Sequence, residues 1–142
     1  MPIFEMGGMY STRSEAFEVT KNIFDAFYRE VLAEGSLPII VVFPDGNDQS
    51  RSRTDKARRY QPLLDYFDEA GYPYIDILDA VIPYEDEYSI DDLTVQWGHF
   101  SPIGNVIIAE YITQYLDHQY SMSPDQIEIS IASERERLGV SK

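Results

Sequence analysis

The sequence predicts an α/β protein built in three layers, with helices on both faces of a parallel sheet. Three observations carry that prediction. Leu37-Pro38-Ile39-Ile40-Val41-Val42-Phe43 is an unbroken apolar run, the pattern of a parallel strand covered on both faces rather than of an alternating, half-exposed one. Tyr74-Ile75-Asp76-Ile77-Leu78 has the composition of a second short strand. Between them Ala57, Tyr60, Leu63, Leu64 and Phe67 recur at helical spacing and stop at Gly71, which makes a βαβ unit with a right-handed crossover.

The remaining elements follow in order. After Gly7-Gly8, Thr12 and Glu15 have capping-box spacing, and Phe17, Thr20, Ile23, Phe24, Phe27 and Val31 continue at helical intervals up to Gly35, predicting a helix over 12–34. Residues 45–56 are polar, with Gly46 and Asn47, and read as a loop. So does the acidic stretch 85–92. Ser101 suits an N-cap and Pro102 the first helical position, and Val106, Ile107, Tyr111, Ile112 and Tyr115 have the spacing of a buried face, predicting a helix over 101–118. In the tail, Ser123-Pro124-Asp125 signals a helix start while Ile127, Ile129 and Ile131 alternate like a strand; the helix is preferred.

The chain has 142 residues, enough for one domain with a real core, and 44% of them are hydrophobic. Eleven basic against 25 acidic residues give a formal charge of −14, which repels nucleic-acid phosphates and anionic membrane surfaces, so neither partner is expected. Without cysteine there is no disulfide, thiolate nucleophile or Cys-ligated metal. Asp45, Asp48 and Asp55 lack the spacing of a calcium loop, and no cofactor is expected. No apolar stretch approaches the roughly 20 residues of a membrane span, and Met1-Pro2-Ile3-Phe4-Glu5 lacks the pattern of a signal peptide, so a cytoplasmic protein is expected.

Two strands make a poor sheet, and the first reads as a central strand that needs neighbours on both sides. The sheet is therefore expected to be incomplete within this sequence, leaving an apolar edge along 37–43 open to pairing.

Chemistry concentrates at Gly98-His99-Phe100-Ser101-Pro102-Ile103-Gly104-Asn105, which holds one of the two histidines just before a helix start. Followed by its apolar helix, this block resembles the last block of the SGNH (GDSL-type) hydrolases. The order of elements over about residues 15–117 is similar to the C-terminal half of that family. The resemblance implies a single flavodoxin-like α/β/α domain over 1–142, with parallel strands near 37–43 and 74–78 and a tail over 119–142. It implies acyl transfer, usually ester hydrolysis, by a serine nucleophile, a histidine base, an aspartate three residues before the histidine and an oxyanion hole that includes a glycine and an asparagine.

Carried over, His99 is the general base. Gln96 stands at the family's aspartate position; Asp91 or Asp92 would be the alternative orienting carboxylate, or a serine–histidine dyad would operate. No Gly-Asp-Ser occurs. Gly46-Asn47-Asp48 echoes the asparagine block, but only one strand separates it from His99, so 37–43 corresponds better to the fourth strand of the family.

The expectation is half an active site, inactive alone, whose substrate when completed is a small-molecule or carbohydrate ester. The alternative is a non-catalytic binding or assembly module that completes its sheet along 37–43 as a homodimer or with a partner chain. A complete esterase using Ser50 or Ser52 ranks last. Ser101 is expected to cap its helix rather than attack, His118 to face the helix dipole, Trp97 to line a pocket or fill the core, and Arg51, Arg53, Arg58 and Arg59 to be solvated rather than to bind an anion.

Overall fold

The computed structural model describes residues 8–95 and 98–141. Its elements are α1 (Glu15–Ala33), β1 (Ile40–Val42), α2 (Gly46–Ser52), α3 (Gln61–Ala70), β2 (Tyr74–Asp76), α4 (Ile77–Val81), a 3-10 turn (Ile82–Tyr84), α5 (Ile90–Leu93), α6 (Pro102–Tyr120) and α7 (Pro124–Leu138). Among the described residues β1 and β2 pair as a two-stranded parallel sheet, so the chain is α/β with helix predominating. No described helix is long and apolar enough to cross a membrane.

The chain divides into two compact units. The first comprises Met1–Ile40, Tyr60–Pro73 and Ser121–Lys142, and so holds α1, α3 and α7. Its core is Phe17, Tyr28 and Leu32 from α1, Leu63, Leu64 and Phe67 from α3, and Tyr72. Phe24 meets Phe67 edge-on with centroids 4.8 Å apart, and Tyr28 stacks on Tyr72 at 4.1 Å. Removing Phe67 from water, as here, is worth about 2–3 kcal/mol.

Two guanidinium groups of α7 satisfy helix ends that would otherwise leave orphan carbonyls. Arg135 donates to Leu32 O at 2.7 Å and Ala33 O at 2.9 Å, closing α1, and Arg137 donates to Ala70 O at 2.8 Å, closing α3. These contacts give the tail its helical role. Ser123 and Gln126 form a capping box, Ile131 is buried, and Ile127 and Ile129 stay exposed, so the alternation of the three isoleucines has no structural expression. The expected start of α1 is corrected: Ser14, not Thr12, is the N-cap, its hydroxyl oxygen accepting from Phe17 N at 3.1 Å.

The second unit comprises Val41–Arg59 and Tyr74–Tyr120. Its core is Leu78, Ala80, Val81, Leu93 and Ile107, with Tyr84, Tyr88, Phe100 and Tyr111 packed against it. Several expectations change here.

The strand over 37–43 shortens to Ile40–Val42, and it is not covered on both faces: Val41 is 38% and Phe43 59% exposed. The expected loop over 45–56 contains α2, because Asp45 and Asp48 cap it reciprocally. The second strand ends at Asp76, whose carboxylate accepts from Leu78 N at 2.9 Å and starts α4. Within 85–92 a Ser89–Asp92 capping box starts α5. On α6 the buried stripe is Gly104, Ile107 and Ile108, with Tyr111 half-buried, and Val106 lies off it at 57% exposure.

The four arginines expected to be solvated are instead consumed. Arg58 bridges the fully buried Asp76 carboxylate at 2.6 Å and also pairs with Asp79. Arg59 pairs with Asp45 and Asp48. Arg53 clamps the carbonyls of Glu85 at 2.7 Å and Tyr88 at 2.6 Å, and Arg51 donates twice to Ala57 O. Removing one partner of the Arg58–Asp76 pair would strand a buried charge, a loss of about 3–5 kcal/mol. Arg58→Ala is therefore expected to lower the urea midpoint sharply, with Arg58→Lys recovering only part, since one ammonium cannot span two carboxylates as the guanidinium fork does.

In the first unit the phenols of Tyr66 and Tyr72 both donate to Asp25 Oδ1, the latter at 2.8 Å. Burial first, and the hydrogen bond to Asp25 second, push the Tyr72 phenol up to about 12. Because the folded value lies above the unfolded one near 10, the contribution to stability is whole below pH 10 and falls as the pH rises toward 12. A spectroscopic alkaline titration is expected to show tyrosinate forming late and together with loss of structure; Asp25→Asn should bring that ionisation down.

Candidate functional site

His99 is held by a narrow loop of the second unit. Thr94 and Phe100 form an antiparallel bridge, Val95 N donates to His99 O at 2.8 Å, and Ser101 N donates to Leu93 O at 2.9 Å. Gly98, immediately before the histidine, has φ +77°, a conformation glycine adopts without penalty. The backbone of His99 is thus fixed while its imidazole is exposed.

The loop passes into α6 through a tight seat. Ser101 is buried; its Oγ accepts from Gly104 N at 3.1 Å and donates to Asp92 O at 2.6 Å. That is the N-cap role expected of it, and it leaves the hydroxyl committed rather than free to attack. A Cβ on Gly104 would lie 2.5 Å from Leu93 O and 3.1 Å from the Phe100 ring. The glycine of the block is therefore there because backbone passes where a side chain would be.

A cleft of about 450 Å³ opens beside this loop, lined by Phe43, Pro44, Asp45, Gly98, His99, Phe100 and Asn105. It lies off the carboxyl end of β1, the end at which open α/β sheets bind ligands. Phe43 and Phe100 have ring centroids 6.3 Å apart and form the apolar wall. Asn105 donates from its amide to Phe100 O at 3.3 Å.

Asp45 forms the acidic wall. Its Oδ1 accepts from Asn47 N at 2.8 Å and Asp48 N at 3.0 Å, and Arg59 Nη2 reaches its Oδ2 at 2.7 Å. Partial burial opposes ionisation, but the amide of Asp48, Arg59 and the amide of Asn47 outweigh it and hold the carboxyl below its ordinary value. The buried Asp48 takes Arg59 Nε at 2.8 Å and Nη2 at 3.0 Å, and these two carboxylates, Asp48 foremost, raise the guanidinium pKa.

The residues singled out from sequence fall into distinct places. His99 lines the cleft. Asp92 sits on α5 with Oδ2 accepting from the Ser89 amide at 2.9 Å and the Ser89 hydroxyl at 2.7 Å, which lower its pKa. Asp91 is exposed on the same turn, and among the described residues no carboxylate is bonded to the imidazole. Gln96 and Trp97 lie outside the described residues. Ser50 and Ser52 belong to α2 and do not line the cleft; none of the described lining residues carries a hydroxyl or thiol. His118 is exposed in the last turn of α6.

Sequence reasoning missed Phe43 and Asp45 as neighbours of His99, whereas Asn105 stands in the histidine block itself. For Asp45 a capping signal existed, since Asp45-x-x-Asp48 follows a strand; its meeting with His99, like that of Phe43, is tertiary. No protein-family model, curated protein or solved structure matches the chain.

Gly104→Ala is expected to cost about 2–3 kcal/mol, because the contacting atom is backbone and cannot yield cheaply. Ser101→Ala should cost about 1–2 kcal/mol by loss of the cap and of a buried hydrogen bond. Chemical denaturation checks both, and amide shifts of residues 98–105 should move in each.

Proposed function

We propose that the chain is the histidine-bearing part of an SGNH-type ester hydrolase or O-acyltransferase, with a flavodoxin-like sheet completed by strands outside these 142 residues. The observation that carries this reading is the cleft at the carboxyl end of β1, with the His99 imidazole exposed in it and its backbone fixed. In this reading His99 takes the proton of a serine hydroxyl and returns it to the leaving alcohol. Asn105 is within the cleft and has a side-chain amide to offer a polar substrate atom. The nucleophile comes from the completing segment, since no hydroxyl or thiol stands among the described lining residues.

The direct test is the reading frame upstream of the Met1 codon. An in-frame Gly-Asp-Ser after an apolar strand is expected. The extended protein should hydrolyse p-nitrophenyl acetate, the 142-residue chain should not, and His99→Ala should lower the rate of the extended protein by about 10³-fold or more. Equal rates in wild type and His99→Ala would remove the histidine from the chemistry and sink the reading.

A second reading is favoured by β1 itself. Its one partner among the described residues is β2, so its other edge is unpaired there, and Val41 on the strand and Phe43 just after it are exposed. A binding or assembly module would use that edge to pair with another chain, by strand addition. It predicts a dimer or heterocomplex by light scattering that Val41→Pro disrupts, since Ile40 N donates to Pro73 O and the alternate residue, Val41, turns its N–H to the open edge; a stable monomer over the micromolar range rejects it.

A further inference from the structure

Asp45 and Asp48 share a single guanidinium, that of Arg59, so the group carries one negative charge in excess. The sharing is unequal in space. Asp48 has a side chain only 6% exposed and takes both Nε and Nη2, whereas the Asp45 side chain is 49% exposed and borders the His99 cleft. The excess charge therefore falls on the cleft side. It is also immobile, because the amides of Asn47 and Asp48 hold Oδ1 and Arg59 holds Oδ2. No lysine or arginine is among the described lining residues, and the rest of the lining is aromatic, apolar or amide.

We infer that Asp45 is the specificity-determining residue of this cleft, admitting neutral or cationic esters with a flat apolar group and turning away anionic ones. The flat group rests on Phe43 and Phe100, and the polar end meets Asn105 and His99. A ligand carboxylate about 7 Å from a fixed, part-exposed carboxylate binds roughly five- to tenfold more weakly than its neutral isostere at low salt, and added salt narrows the gap. This rests on the proposed reading of the cleft as an ester-binding site, and the experiment separates the two.

The test is a titration of the labelled protein, followed by backbone amide shifts of Asp45, Gly98, His99 and Asn105, with two probes of one shape: 4-acetoxybenzamide, neutral, and 4-acetoxybenzoate, anionic. The wild type should bind the benzamide roughly five- to tenfold more tightly. Asp45→Asn keeps the cap, since asparagine is as good an N-cap as aspartate, and should shrink the gap to about twofold or less; Asp45→Ser, another neutral cap, serves if the first variant does not fold. Asp79→Asn removes the same unit charge from the Arg58 pair, outside the cleft lining, and should leave the gap intact. Equal binding of both probes by the wild type, or a gap closed as well by Asp79→Asn, overturns the role of Asp45 while leaving the cleft as a ligand site. Binding of neither probe by wild type or variants overturns the ester-binding reading together with the inference.

Discussion

The second unit depends on one close approach, the seating of the first turn of α6 on the carbonyls of Asp92 and Leu93. Ser101 reaches both, through its Oγ at 2.6 Å and its N–H at 2.9 Å, and Gly104 passes so near Leu93 O that no side chain fits. The Leu93 side chain is meanwhile fully buried against Leu78, Val81 and Ile107. Because these contacts fix both ends of the loop that carries it, His99 inherits a defined backbone position through main-chain bonds. Loop residues placed in this way, on a rigid frame but open to solvent, are where binding and catalysis concentrate.

A strongly acidic chain has few cations, and here several arginines are spent on carbonyls and carboxylates. Arg135 and Arg137 close helix ends in the first unit, while Arg53, Arg58 and Arg59 tie turns and carboxylates in the second. Each guanidinium makes several directed bonds at once, which a lysine could not do. With 11 basic against 25 acidic residues and these arginines already committed, acids outnumber the cations left to pair with them. Part-exposed Asp45 is the instance that matters for the cleft, since its guanidinium is shared with a deeper aspartate.

The cleft and the sheet edge belong to one functional picture. Among the described residues the two-stranded parallel sheet leaves one edge of β1 without a strand, and β1 is also the strand whose carboxyl end borders His99. A strand added in parallel to that edge would deliver its own carboxyl end to the same place, by the geometry that gathers ligands at one end of α/β sheets. In the proposed reading, such completion would bring a nucleophile to His99, which has no hydroxyl beside it on the described walls.

The sequence by itself determined what local chemistry can determine. The long helices α1, α3 and α6, the placement of His99 before a helix start, the N-cap role of Ser101 and the helical preference of the tail were legible, because each rests on bonds or faces within a few residues, whereas the short capped helices α2 and α5 were read as loops. The sequence misjudged the strand over 37–43, since an apolar run does not record how many neighbours a strand finds, and Val41 and Phe43 remain partly exposed. It left Arg51, Arg53, Arg58 and Arg59 solvated, because their partners lie 6 to 35 residues away along the chain. Only the tertiary structure brought Phe43 and Asp45 to His99, for a cleft is a property of three-dimensional neighbours, and nothing in the spacing of those residues along the chain requires that they meet.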